Sequence, residues 1–153
     1  MSARLSGDRE AGFTLIELLV VMLILGILAA IAIPAFFNQR DKGTDAQAKA
    51  AVRTAQTAIE TWATENGGSY ETAAAVDPTP AELAAIEPTI QTVGDNAISV
   101  VAASGTGYTV RATSGTGNTF DIIRNGGSVD FNCAIPAGET NRGGCPSNGN
   151  WNE

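Results

Sequence analysis

The sequence predicts an α+β fold in which a long N-terminal α-helix, apolar in its first half and amphipathic in its second, packs on a four-stranded antiparallel β-meander. Three observations lead there. From Leu18 to Ile33 no side chain is charged or polar, and the apolar stretch around this run is long enough to cross the ~30 Å hydrocarbon core of a bilayer as a helix. From Ala46 to Glu65 apolar residues recur at alternating spacings of four and three, the mark of an amphipathic helix. From Ala97 to Asn132 short runs rich in β-branched and aromatic residues alternate with glycine-bearing turns, which reads as a meander of short strands.

Residues 1–12 are a short polar leader in which Arg4 and Arg9 balance Asp8 and Glu10. Residues 13–37 form the apolar, membrane-length helix. Its anomaly is Glu17. A charge at the centre of a membrane helix costs on the order of 3 kcal/mol, less near an end, and asks for a partner. One reading is a carboxylate that reaches to the headgroup region of an ordinary single-span anchor. A conventional secretory signal competes for the run, with Ala30-Ile31-Ala32 as its small-residue site, but the run exceeds the usual ~7–15 apolar residues of such signals. Pro34 removes one helical hydrogen bond and either kinks the helix or ends it.

The pattern beyond Pro34 favours continuation through residues 38–66, the amphipathic part. Ala48, Val52, Ala55, Ile59 and Trp62 share one face, and Lys49, Arg53, Gln56 and Glu60 lie on the other. Gly43 weakens this helix by about 1 kcal/mol, and Asn66-Gly67-Gly68 stops it. A helix from about Phe13 to Glu65 is on the order of 80 Å long, its first half projecting from the globular part.

Residues 67–96 are an acidic connector with Glu71, Asp77, Glu82, Glu87 and Asp95 and no basic residue. Thr79-Pro80-Ala81-Glu82 has the capping-box pattern, with proline in the first helical position. A short helix from about Pro80 to Ile86 follows. The acidity reads as a solvated face, or else as a partner-binding or calcium surface. The D-x-D-x-[DN]-G calcium loop is absent. Residues 97–132 hold the sheet: 98–102, 108–113, 120–124 and 128–132, with Asn125-Gly126 as a strong hairpin signal. Tyr108, Val110 and Ala112 face the same side as Phe120, Ile122, Val129 and Phe131, and the Ala48–Trp62 stripe is the long apolar surface able to cover them. Residues 133–153 form a Gly/Asn/Pro-rich tail without regular structure.

The net charge of −7 and a pI near 4.5 argue against direct nucleic-acid binding by the single chain. There is no histidine, so imidazole metal sites and histidine-dependent triads are excluded. No nucleophile constellation or paired-carboxylate motif points to an enzyme, and no catalytic, cofactor-binding or metal-ligating residue is assigned. Cys133 and Cys145 read as a disulfide in an exported domain, or as two free thiols in a reducing compartment. Charges flanking the apolar run, Arg4 and Arg9 before it and Arg40 and Lys42 after it, leave its orientation undecided.

Gly12-Phe13-Thr14-Leu15-Ile16-Glu17, followed by the unbroken apolar run, resembles the processing site of type IV prepilins and the related pseudopilins. Gly26 and Pro34 stand where many pilins have a glycine and a helix-kinking proline. The resemblance is specific over the first quarter of the chain and extends beyond it only in the order of elements. It implies the pilin fold, cleavage between Gly12 and Phe13 by a prepilin peptidase, and N-methylation of Phe13. It implies a single-pass membrane protein with its C-terminal domain outside the cytoplasm, then a homo-oligomeric helical filament on the cell surface, built by the pilus assembly machinery through the N-terminal helix. Glu17 is then the device that sets register, and Gly26 and Pro34 mark a segment able to kink or melt. A Cys133–Cys145 bridge matches the disulfide-closed C-terminal loop of many pilins. The implied function is that of a major pilin of a type IV pilus, serving adhesion, twitching motility or DNA uptake. The alternatives are a pseudopilin or minor pilin of a type II secretion or competence system and, more remotely, a membrane-anchored receptor or enzyme.

Overall fold

The structure, a computed structural model, describes residues 12–74, 76–140 and 142–152; most of the expected leader, residues 1–11, lies outside the described residues. Two compact units divide between Phe36 and Phe37. The elements are α1 (Leu15–Glu65), α2 (Pro80–Ile86), β1 (Ala97–Ala103), β2 (Gly107–Thr113), β3 (Thr119–Asn125) and β4 (Ser128–Ala134). An α+β chain with a long apolar N-terminal helix and a four-stranded antiparallel sheet is therefore what the residues build.

In the first unit every described residue is exposed, the apolar side chains included. Helix α1 runs unbroken through Gly26 and Pro34. It is long and apolar enough to cross a membrane.

In the second unit α1 ends where Gly67 and Gly68 adopt positive φ (71° and 88°). The Gly68 amide donates back to the Ala63 carbonyl at 2.7 Å, so a carbonyl orphaned by the helix end is satisfied. Helix α2 starts at the expected capping box: Thr79 Oγ1 accepts from the Glu82 amide, and the Glu82 carboxylate accepts from the Thr79 amide at 2.7 Å. Proline in its first turn gives up an amide that had no helical acceptor.

The sheet has the order β1-β2-β3-β4, antiparallel throughout. Register places Val110 opposite Ile122, Ala112 opposite Phe120, and Ile122 opposite Phe131. Because side chains alternate along a strand, these residues share one face. A bulge at Val101 shifts the β1 register. Ala48, Val52, Ala55, Ile59 and Trp62 of α1 are buried in one core with Val110, Ala112, Phe120 and Ile122. Alanine on the helix and large residues on the sheet interdigitate, and each fully buried large side chain contributes about 1.5–3 kcal/mol.

Both edges of the sheet are covered. The outward amide of Ile98 on β1 donates to the Gln91 carbonyl at 2.8 Å. On β4, Cys133 donates to the Gly149 carbonyl at 2.7 Å and Trp151 donates to the Phe131 carbonyl at 3.2 Å, around an isolated bridge between Asn132 and Asn150. Beyond β4 the described tail residues form no helix or strand, yet this isolated bridge and these hydrogen bonds hold the tail to the sheet edge. Trp151 is 5% exposed, stacks edge-on against Phe120 and Phe131, and donates its indole N–H to the Asp121 carbonyl. A large aromatic needs burial, and the tail follows it onto the sheet edge.

Candidate functional site

The N-terminal turn of α1 is built by Thr14 and Glu17. The Thr14 hydroxyl and amide donate to Glu17 Oε2 at 2.7 and 2.8 Å, and the Glu17 amide donates to Thr14 Oγ1 at 3.3 Å. This is the reciprocal capping box of Thr-x-x-Glu. The same pattern read from sequence at Thr79–Glu82 also stands in Thr14-Leu15-Ile16-Glu17, where the apolar setting drew attention to the charge alone. The carboxylate satisfies an amide at the helix start and lies at the positive end of the helix dipole. Gly12 and Phe13 precede the helix and are exposed, Phe13 by 83%. A Cβ at Gly26 would meet open space. The first unit therefore presents a continuous apolar surface from Phe13 to Phe36. Surfaces of that extent mark a membrane or a protein partner.

In the second unit the C-terminal loop is tied at two places, to β4 and to α1. Cys133 and Cys145 form a disulfide with Cα atoms 5.7 Å apart. Next to it, Asp45 is fully buried and its carboxylate accepts four hydrogen bonds. These come from Ser114 Oγ (2.6 Å), Thr116 Oγ1 (2.5 Å), Asn118 Nδ2 (2.8 Å) and the Gly144 amide (2.6 Å). A buried charge is tolerated when its lone pairs are satisfied in this way. Gly143, at φ 51°, and Gly144 let the loop approach so closely that a Cβ on either would run into Asp45. One side chain thus joins the helix, the β2–β3 turn and the disulfide loop. Sequence reasoning missed it. An acid at the start of an amphipathic stretch reads as solvated, and its partners lie about seventy residues away.

The face of α1 expected to be simply polar also bonds inward. Lys49 Nζ donates to the Gly144 carbonyl at 2.6 Å and lies over the rings of Phe120 and Trp151. Burial pushes its pKa down, opposed by the charge of Asp45. Glu60 accepts from Tyr70 Oη (2.7 Å), Tyr108 Oη (3.0 Å) and Arg124 Nη1 (2.8 Å). Burial, then the Glu60 carboxylate, raises both phenols, and the same carboxylate raises the Arg124 guanidinium. These clusters fasten helix to sheet. Among the described residues no group of three or more His, Cys, Asp or Glu side chains is placed to hold a metal ion.

An exposed apolar helix opening on a capped glutamate is followed in the chain by a helix-on-meander domain with a bridged C-terminal loop, a pilin-like α+β architecture. The N-terminal segment carries the prepilin-type motif, and the proteins that the chain resembles there are type IV pilins and type II secretion pseudopilins. The pattern of the prokaryotic N-terminal methylation motif matches residues 7–33. The chain is 44% identical over 57 residues to the type IV major pilin protein PilA of Myxococcus xanthus (37% of this chain, 26% of the relative). It is 33% identical over 61 residues to the type II secretion system core protein G of Pectobacterium carotovorum (40% and 39%). It is 50% identical over 50 residues to the type IV narrow pilus major component PilA5 of Thermus thermophilus (31% and 43%). The match therefore spans between about a quarter and two-fifths of these relatives' own lengths. No solved structure matches the chain at a significant level.

Proposed function

We propose that this chain is the major structural subunit of a type IV pilus. The observation that carries the reading is the exposed apolar helix that follows Gly12-Phe13-Thr14 and carries Glu17 in its first turn. Prepilin peptidase cuts between Gly12 and Phe13, and the new amino group of Phe13 is methylated. Before assembly the helix rests in the membrane with the C-terminal domain outside the cytoplasm. On assembly, helices leave the lipid together and bundle, so that apolar surface stays out of water. Burying some twenty apolar residues per subunit represents tens of kcal/mol, roughly, in gross terms. The filament then serves adhesion, twitching motility or DNA uptake, and the subunit itself catalyses nothing.

Glu17 sets register in this scheme. Its carboxylate meets the positive N-terminal amine of a neighbouring subunit, because a charge in an apolar bundle must be paired. Assembly of a Glu17→Ala variant tests this: filaments with normal yield and spacing would overturn it. Gly26 and Pro34 bound the segment where the helix loosens in the filament, its freed carbonyls bonding to neighbours. Continuous helical hydrogen bonding from Gly26 to Phe36 within assembled filaments refutes that step.

The second reading is a pseudopilin of a type II secretion system, favoured by the match to core protein G. The Cys133–Cys145 bridge favours the first, since pseudopilins usually lack it. Mass spectrometry of sheared surface filaments decides. The major-pilin reading expects an abundant subunit starting at N-methylated Phe13 with both cysteines oxidised. An intact leader, or absence of the chain from surface filaments, removes it.

A further inference from the structure

The loop segment that carries Cys145 is held by contacts that do not involve its sulfur. The Gly144 amide donates to Asp45 Oδ2 at 2.6 Å, and the Gly144 carbonyl accepts from Lys49 Nζ at 2.6 Å. The Arg142 carbonyl accepts from Asn118 Nδ2 at 3.1 Å and from the Cys145 amide at 2.8 Å. The Arg142 guanidinium in turn donates to the carbonyls of Cys145 and Pro146. The chain leading into Cys145 is thus fixed to α1 and to the β2–β3 turn. Asp45 is the centre of this arrangement: fully buried, it also accepts from Ser114 and Thr116.

Cys133 is positioned separately, on β4 opposite Phe120. The two cysteines are 12 residues apart in sequence. The run between them holds Gly138, Gly143 and Gly144, and beyond Ala134 its described residues form no helix or strand. A flexible tether of this kind gives its ends an effective concentration of about the millimolar range. Groups held in register by a fold reach values orders of magnitude higher. The two residues also differ in access: Cys145 is 2% exposed, and Cys133 is half-buried.

We propose that Asp45 is the positioning residue for oxidation of this cysteine pair: its cluster closes first, Cys133 meets the external oxidant, and Cys145 is the resolving thiol. With a disulfide oxidant such as glutathione disulfide, the Cys133 thiolate attacks one oxidant sulfur and expels the other half as a thiolate. The Cys145 thiolate then attacks Cys133 Sγ, forms the Cys133–Cys145 bond and expels the second half. Each cysteine yields its proton to water and each expelled thiolate takes one up. The cysteine pair loses two electrons, and one oxidant molecule becomes two thiols. Access sets the direction, because attack by the buried Cys145 on an outside molecule requires the Asp45 cluster to open. The coupling is reciprocal: the factor by which the cluster favours the bridge is the factor by which the bridge favours the cluster. Nothing in this order of events requires a filament.

The experiment uses the full chain in detergent, reduced and then equilibrated with mixtures of reduced and oxidised glutathione. Asp45→Ala is expected to lower the equilibrium constant for bridge formation roughly tenfold or more, and Asp45→Asn by a smaller factor. Gly107→Ala perturbs the other end of the β2–β3 pair and serves as the control, expected to leave the constant within about twofold. Direction is read from glutathione adducts by mass spectrometry. Cys133 in a Cys145→Ser chain is expected to label about tenfold faster than Cys145 in a Cys133→Ser chain, and adding Asp45→Ala to the latter removes the difference. Fluorescence of Trp62 and Trp151 checks that each variant is folded. If the alanine variant does not fold, the asparagine variant carries the equilibrium test, and if neither folds the labelling ratio decides. An unchanged constant in a folded Asp45 variant, or an equal loss in Gly107→Ala, overturns the positioning role. Labelling of Cys145 as fast as Cys133 overturns the assigned order.

Discussion

Replacing Asp45 by alanine removes a fully buried carboxylate from four donors. Two of these, Ser114 and Asn118, belong to residues only 4% and 2% exposed, and water cannot easily take the place of the carboxylate there. Each buried donor left unpaired costs about 1–3 kcal/mol. Thr116 and Gly144 are half-buried and recover part of their loss to solvent. The variant is therefore expected to be less stable by about 3–5 kcal/mol, a large share of the ~5–15 kcal/mol that holds a domain folded. Asp45→Asn keeps the shape but sets an amide N–H₂ against the Asn118 amide or the Gly144 N–H, and is expected to lose about 2–3 kcal/mol. The assay is urea unfolding of the full chain in detergent, followed by the fluorescence of Trp62 and Trp151, 6% and 5% exposed in the native state. The order wild type, Asn, Ala is the signature. An alanine variant within about 0.5 kcal/mol of wild type would show that Asp45 fastens nothing, since changes that small are ordinary for surface positions.

Further outcomes follow from the same geometry. The raised phenol of Tyr108 binds its proton more tightly folded than unfolded; that contribution is complete below the ordinary value of 10.0 and is lost as pH climbs above it. Tyr108→Phe is expected to cost about 1 kcal/mol at pH 7 and to flatten the alkaline decline, leaving the share of Tyr70, as checked by thermal melts from pH 8 to 12. A Cβ on Gly107 would collide with the Arg124 carbonyl across the β2–β3 pair, so Gly107→Ala is expected to destabilise by about 1–3 kcal/mol, and a neutral result in the same urea assay contradicts that contact. Reduction of Cys133–Cys145, which closes a separation of 12 residues, is expected to cost about 2–4 kcal/mol. In hydrogen exchange the loss should appear first at the Cys133 and Trp151 amides.

Those elements whose information is local were readable in the sequence. The capping box at Thr79–Glu82, the Gly67-Gly68 stop and the Asn125-Gly126 hairpin each use neighbours within five residues. The Ala48–Trp62 stripe and the strand alternation then chose each other, because apart from the membrane-length run no other apolar surface of that length competes among the described residues. What escaped the sequence was long-range and polar. Asp45 and Glu60 look solvated on a helical wheel, and only the folded chain shows that one faces the β2–β3 turn and the other a pair of tyrosines. Trp151 was hidden by the turn-forming residues around it. The capping role of Thr14 was hidden by the apolar helix it opens.

The disulfide joins the two ends of the C-terminal loop at β4, and the Asp45 cluster fastens the far end to α1. Between them, residues 137–140 are exposed. Mechanically this is a clasp with slack: the ends are fixed by chemistry that does not depend on what lies between. Lengthening such a segment costs little, about 0.6 kcal/mol for each doubling, so the stretch can change in composition or carry an inserted peptide while the core behind it stays unaltered. If the loop faces outward on an assembled fibre, the fibre can vary its exterior without renegotiating its fold.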